Sequence, residues 1–262
     1  MTLTIALCQI PVEDGAWERN TERGLAALER AAALGARIAV LPELWSSGYD
    51  LPQAEQYAAR NAPLVEQVRA LCRRHGLFAV AGSFILSAGG GRLCNTLVAF
   101  DPEADRITQY SKMHLFPALG ETEVFSPGDE PVLWATAFGR FGLALCFDVR
   151  FPEVFRSYFH AGAPLMFVPA QFPYPRIAHW RALLRARAIE NACFMVAVNA
   201  ASRPADNRLF GFSAIVDPWG EPVMELGHDQ QIAVATVDPA RAVEVDERLG
   251  LRRCLHPRFR KG

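Results

Sequence analysis

Ile38-Ala39-Val40-Leu41-Pro42-Glu43 is the stretch on which the reading of the fold turns. Four consecutive apolar residues have no polar face, so they predict a short strand buried on both sides, and Pro42 stops it. Upstream, Trp17 to Leu34 carries Leu25, Leu28 and Ala32 at helical spacing, and Gly35 ends that helix as a left-handed cap. Before the helix, Leu3–Gln9 reads as another strand. Strand, helix and buried strand in succession make a crossover unit, the building block of a parallel sheet covered by helices.

Working outward, the pattern continues. Pro63–His75 predicts a helix closed by Gly76, and Leu77–Leu86 a buried strand. Ala88-Gly89-Gly90-Gly91 turns the chain into Leu93–Phe100, which predicts a hairpin. Further strands are expected at Arg106–Tyr110, Val132–Ala135, Gly142–Leu145, Leu165–Val168 and Phe194–Asn199, with helices at Phe151–Ala161 and Arg176–Asn191. Three late strands follow near Gly211–Val216, Glu221–Leu226 and Ile232–Val237. About a dozen strands with about four main helices favour an α/β fold with two stacked mixed sheets between helix layers over one open sheet. The whole chain, 1–262, reads as one domain, with 248–262 as a basic C-terminal tail (Arg252, Arg253, Arg258, Arg260, Lys261). That tail is either a solvated terminus or an arm on a neighbouring subunit.

Three polar residues follow three of these strands. Glu43 follows Ile38–Leu41, Lys112 follows Arg106–Tyr110, and Cys146 follows Gly142–Leu145. Ligands bind beyond the carboxyl ends of such strands, so a carboxylate, an ammonium and a thiol would converge there if the three strands are neighbours. A thiol attacks as thiolate, so it needs a base. Glu43 is placed in the sequence to take that proton and later to activate water. Lys112 and the backbone N–H of Phe147 would hold charge on a carbonyl oxygen. A helix starting at Pro152 puts a positive end just past the thiol, which would favour the thiolate. Taken singly, a loop Glu and a strand-flanking Lys are more often solvated charges.

Other chemistries are less well represented. With 27 basic and 28 acidic residues the net charge is −1, which points to neither nucleic acid nor an anionic membrane surface as a partner. The apolar runs are too short to span a bilayer, and no signal-peptide pattern opens the chain, so a cytoplasmic protein is expected. Six scattered cysteines without a CxxC pair suit reduced thiols. The six histidines are isolated, so no metal site and no cofactor is expected. The chemical rival is a cysteine–histidine pair in which His114 or His179 activates Cys146. Asp148 and Arg150 read first as an ion pair fixing the turn, with substrate contact as the alternative.

Leu41-Pro42-Glu43-Leu44, Ser111-Lys112-Met113-His114-Leu115-Phe116 and Cys146-Phe147-Asp148-Val149-Arg150-Phe151-Pro152-Glu153 together resemble the nitrilase superfamily of carbon–nitrogen hydrolases, in the same order along the chain. The resemblance spans the first strand to about Val237. It implies a four-layer α-β-β-α sandwich in which Glu43 is general base, Lys112 stabilises the tetrahedral intermediate and Cys146 is the nucleophile. It also implies a second glutamate upstream of Phe125-Ser126-Pro127-Gly128, which Glu121 matches, with Glu123 the competitor. The motif at Cys146 and the stretch His179–Asn191 resemble the omega-amidase branch, whose members cut small dicarboxylic monoamides to the acid and ammonia. On that basis the expected substrate is a small-molecule ω-monoamide, with Tyr49, Phe147 and Phe172 lining its pocket. Neighbouring branches act on deaminated glutathione, N-carbamoyl amino acids, aliphatic amides or nitriles, and an inactive scaffold is the non-enzyme alternative. Arg176 is either a solvated helix-start residue or the partner of a substrate carboxylate. The resemblance further implies a homodimer or larger even-numbered assembly built around Arg176–Asn191.

Overall fold

In the computed structural model, which describes residues 1–201 and 208–259, the opening segment is the expected crossover unit. Strand β1 (Leu3–Gln9), helix α1 (Trp17–Ala33) and strand β2 (Ile38–Val40) place β1 and β2 parallel and in contact. Helix α2 (Ala54–His75) leads to β3 (Phe78–Ser87), parallel to β2, and the hairpin partner β4 (Leu93–Asp101) is followed by β5 (Arg106–Ser111). After a one-turn helix α3 (Glu121–Val124) come β6 (Val132–Thr136), β7 (Gly139–Leu143), α4 (Pro152–His160), β8 (Leu165–Ala170), α5 (Ile177–Asn191) and β9 (Phe194–Asn199). The chain continues through β10 (Ala214–Val216), β11 (Pro222–Glu225), β12 (Gln231–Val237), α6 (Ala240–Leu249) and α7 (Leu251–Cys254).

Two six-stranded mixed sheets result, ordered β12-β1-β2-β3-β4-β5 and β11-β10-β9-β8-β7-β6. The period-2 alternation of β1 explains the layering. Leu3, Ile5 and Leu7 pack between the sheets with Val40, Val80, Trp134, Phe167 and Val196, whereas Ala6 and Cys8 face α1 and α2 beside Leu28, Leu64 and Val68. On the far side Met166, Met195, Phe155, Trp180 and Leu184 join the second sheet to α4 and α5. Both faces of both sheets are covered, giving the four-layer α-β-β-α sandwich.

Two expectations need correction. Helix α2 starts at Ala54 and runs through Pro63 instead of starting there. One missing N–H costs less than the stripe of Tyr57, Asn61, Leu64, Val65 and Val68 returns, because that stripe packs on both sides of the proline. The late strand expected from Gly211 is only Ala214–Val216, because Gly211 (φ +71°) and Phe212 (φ +54°) are left-handed. The tail is structured where described: α6 extends through Leu249 with Ala242 and Val245 buried, and α7 follows, while Arg260 and Lys261 lie outside the described residues. Among the described residues no helix is long and apolar enough to cross a membrane.

Candidate active site

The strands ending at Glu43, Lys112 and Cys146 are not neighbours. β2 and β5 are separated by β3 and β4 in one sheet, and β7 belongs to the other. The three side chains meet across the sandwich instead, where loops from both sheets close over its end. Each loop is fixed locally. The Glu43 loop is tied down by Leu44 N donating to Ser83 Oγ (2.9 Å) and Trp45 Nε1 donating to the Ala81 carbonyl (2.7 Å). It fits because β3 bulges at Gly82, where a Cβ would sit 1.8 Å from the Pro42 carbonyl oxygen. The Lys112 segment is braced by Gly128, whose N–H donates to the Lys112 carbonyl (2.9 Å) and whose missing Cβ leaves room for the Ser111 backbone. Cys146 opens a tight turn with φ +41°, an unfavourable value for a side-chain-bearing residue.

Lys112 is the hub. Its Nζ lies 2.7 Å from Glu43 Oε1, and 2.9 and 2.8 Å from the two oxygens of Glu121, and all three side chains are fully buried. Asn95 Nδ2 bridges the same carboxylates, 2.9 Å from Glu43 Oε1 and 3.1 Å from Glu121 Oε1. Glu43 Oε2 accepts from Gln171 N (3.0 Å). Glu121 also accepts from Tyr49 Oη (3.0 Å) and Phe116 N (2.6 Å). Glu121 is thus the second glutamate of the cluster, whereas Glu123 is on the surface. Tyr49 belongs to the cluster through its hydroxyl.

The electrostatics follow from this packing. Burial alone would lower the affinity of Lys112 for its proton, but Glu43 and Glu121 outweigh it and hold the ammonium charged well above its ordinary range. The Cys146 thiol is pushed well up, first by burial and then by Glu43, against a smaller opposing pull from Lys112. Burial and the Glu43 charge thus favour the neutral thiol beside the Glu43 carboxylate. Tyr49 is likewise pushed well up, by burial first and the Glu121 and Glu43 charges next, so it stays a neutral donor.

Beside Cys146 in sequence, Phe147 is half-buried and stacks on Phe116 (centroids 4.6 Å apart), and Phe172 is buried against Trp180 and Phe210. Arg176 is half-buried with its guanidinium 5.4 Å from the Phe116 ring. The expected Asp148–Arg150 ion pair is absent. Asp148 bonds to Tyr110, His114 and the Leu145 backbone, and Arg150 turns the other way, over the rings of Phe147 (5.8 Å) and Phe172 (5.4 Å), donating to His179 Nδ1 (3.3 Å). Burial and the nearby Arg176 charge lower the hold of Arg150 on its proton, and it lies within electrostatic reach of Cys146. The histidines of the rival pair are thus engaged elsewhere: His114 with Asp148, His179 with Arg150. Among the described residues no group of three or more His, Cys, Asp or Glu side chains is placed to hold a metal ion.

Asn95 and Gln171 escaped the sequence reading. Gln171 follows the buried strand β8 directly, so the rule that found Glu43 and Cys146 applies to it equally. Asn95 had one signal only, an amide inside an apolar strand.

A buried thiol, carboxylate and ammonium at hydrogen-bonding range make a nucleophilic centre for carbonyl or nitrile carbon, and the fold and the site together define a cysteine-dependent hydrolase of carbon–nitrogen bonds. The carbon–nitrogen hydrolase family profile matches residues 4–247, and the chain belongs to that family. It is 34% identical over 248 residues to the 2-oxoglutaramate amidase of Bacillus subtilis, covering 94% of this chain and 95% of that one. A superfamily protein from Xanthomonas campestris, solved with an arsenic adduct in its active site, superposes with a TM-score of 0.89 at 28% identity over 98% of both chains. A glutamate-to-glutamine variant of the amidase from Nesterenkonia sp. AN1, carrying the acetamide moiety of fluoroacetamide on its active-site cysteine, gives 0.83 at 26% identity over 97% of both.

Proposed function

We propose that this enzyme hydrolyses a small ω-monoamide of a dicarboxylic acid, of the 2-oxoglutaramate type, to the acid and ammonia. The observation that carries it is the pair of guanidiniums, Arg150 and Arg176, in electrostatic reach of each other and, for Arg150, of Cys146, neither of them paired with a carboxylate among the described residues. Two cations held over aromatic faces suit the distal carboxylate of such a substrate. The likeness to a 2-oxoglutaramate amidase supports the same reading.

Glu43 takes the thiol proton as the Cys146 sulfur attacks the amide carbon. Lys112 and the Phe147 N–H receive the charge on the carbonyl oxygen. The intermediate collapses with the Glu43 proton passing to the departing nitrogen, so ammonia leaves and a thioester remains. Glu43 then draws a proton from water, which attacks the thioester, and the proton returns to sulfur as the acid leaves. Glu121, saturated by five donor contacts, holds Lys112 in place and is not a base.

The test is kcat/KM for succinamate against butyramide. A large preference for succinamate, reduced by Arg150→Ala and Arg176→Ala, supports the carboxylate subsite; equal rates remove it and point to an aliphatic amidase. Preference for N-carbamoyl amino acids or deaminated glutathione keeps the chemistry and changes the branch. The proposal extends to assembly and location. α5 exposes Ile189, which lies against Gly220 beside the exposed Trp219, an apolar patch suited to a second copy, and sedimentation as a monomer would remove the dimer. The six cysteines, all free and five of them buried, suit the reducing cytoplasm, which fractionation of the source cells checks.

A further inference from the structure

We propose that Asp148 and His114 form a positioning clamp that holds the strained Cys146 turn in register with Lys112. This rests on the reading of Cys146 as nucleophile. Asp148 is fully buried, and four donors converge on its two oxygens. Oδ1 accepts from the backbone N of His114 (2.9 Å) and from its ring Nδ1 (2.8 Å). Oδ2 accepts from Tyr110 Oη (2.7 Å) and from Leu145 N (2.9 Å). A carboxylate has no proton to donate, so the His114 ring presents Nδ1–H to it.

The donors come from the two arms that must be aligned. Tyr110 and His114 flank Lys112 at a distance of two residues, one on β5 and one in the loop beyond it. Leu145 immediately precedes Cys146, and the turn closes on itself because Asp148 N donates back to the Leu145 carbonyl (2.8 Å). One buried side chain therefore fixes the end of a strand in the first sheet to the nucleophile turn of the second. A left-handed Cys146 persists only if its surroundings over-determine it, and this ring of bonds does so. Aromatic packing reinforces the same junction: the His114 ring lies flat on Phe151 (3.7 Å, 6°), and Phe116 on Phe147. His114 thus acts through Asp148 on geometry and does not exchange a proton with Cys146.

The test separates geometry from proton transfer and from simple folding. The His114 side chain is 28% exposed, so substitution there leaves the core intact. His114→Ala removes the Nδ1–H, whereas His114→Asn restores an N–H at the same place but cannot titrate near neutrality. Asp148→Asn breaks the acceptor while keeping its shape. Steady-state kinetics, the rate of Cys146 alkylation by iodoacetamide and thermal unfolding are measured for all three beside Cys146→Ala. Misplacing the sulfur by a fraction of an ångström predicts a kcat loss of about 10²-fold in Asp148→Asn and about 10-fold in His114→Ala, with slower alkylation and KM little changed. His114→Asn should recover most of both rates. The clamp is overturned if His114→Ala turns over and alkylates like the parent while Cys146→Ala is dead. It is also overturned if His114→Asn is as impaired as His114→Ala, which would make His114 a proton carrier. Should Asp148→Asn fail to fold, the His114 pair decides alone. An active Cys146→Ala would instead bring down the nucleophile reading, and the clamp with it.

Discussion

The buried hub and the arginine pair near Cys146 are built on opposite terms. Glu43, Asn95, Lys112 and Glu121 are at most 1% exposed, and their contacts interlock so that each carboxylate oxygen in the hub is bonded at least once. Arg150 and Arg176 are half-exposed and held mainly by ring faces and one weak bond each, to His179 and to the Tyr174 carbonyl. A carboxylate–ammonium cluster out of water is stable only when every partner is present. Guanidiniums at a rim lose little if left alone, and remain available to an incoming anion. On the proposed reading, the interior carries the bond-breaking chemistry and the arginine pair selects the molecule admitted.

The largest test of that division is Cys146→Ala, which should lower kcat by about 10⁴-fold or more with the fold retained, as measured by ammonia release. Lys112→Met strikes the interior in both respects. It leaves two carboxylates buried and facing each other, so urea denaturation should show a loss of about 3–5 kcal/mol, together with a collapse of turnover. If stability is unchanged, the hub is less interdependent than its bonds suggest. At the rim, Arg150→Ala should reduce kcat/KM for succinamate by about 10- to 100-fold and leave unfolding nearly untouched.

Thiol titration sharpens the contrast further. Burial pushes Cys8 and Cys72 up from 9.0 to about 12. Their stabilisation is complete below the unfolded value and is lost as pH rises through the folded one, because only the unfolded chain ionises in that window. Each should steepen the decline by about 1.4 kcal/mol per pH unit between those limits, and Cys8→Ala should remove its share in alkaline denaturation curves. The exposed Cys254 should react with a thiol reagent in the native protein before any buried cysteine does. The smallest effect is expected at the surface pair Arg181–Glu225, where Arg181→Ala should cost about 1 kcal/mol or less.

How much of this was legible in the sequence depends on the range of the interaction. The layers were, because apolar runs without a polar face demand cover on both sides, and β1 and β2 show it. Glu43 and Cys146 were, because each sits directly after such a run, and Lys112 was because it follows the end of a predicted strand, though β5 is itself largely polar. What brings them together was not. Strand ends that looked adjacent along one sheet meet across two, and no local pattern encodes that pairing. Asp148 and Arg150 misled for the same reason: at two residues' separation they look like partners, yet Asp148 is claimed by Tyr110 and His114 from the opposite sheet. The length of α2 was hidden by Pro63, whose local penalty is overruled by tertiary packing.

The site's division between two sheets has a consequence in time. Glu43 and Lys112 are carried by the first sheet and Cys146 by the second, while the strand that completes the first sheet, β12, pairs with β1 from Leu3↔Val237 to Gln9↔Gln231, across almost the whole chain. Contacts so distant in sequence form late. On the proposed reading, a chain whose two sheets have not yet closed holds Cys146 apart from Glu43 and Lys112, as an ordinary thiol with no hydrolytic power. Activity should then wait for the sandwich to close, with ammonia release during refolding returning only with the last step of assembly.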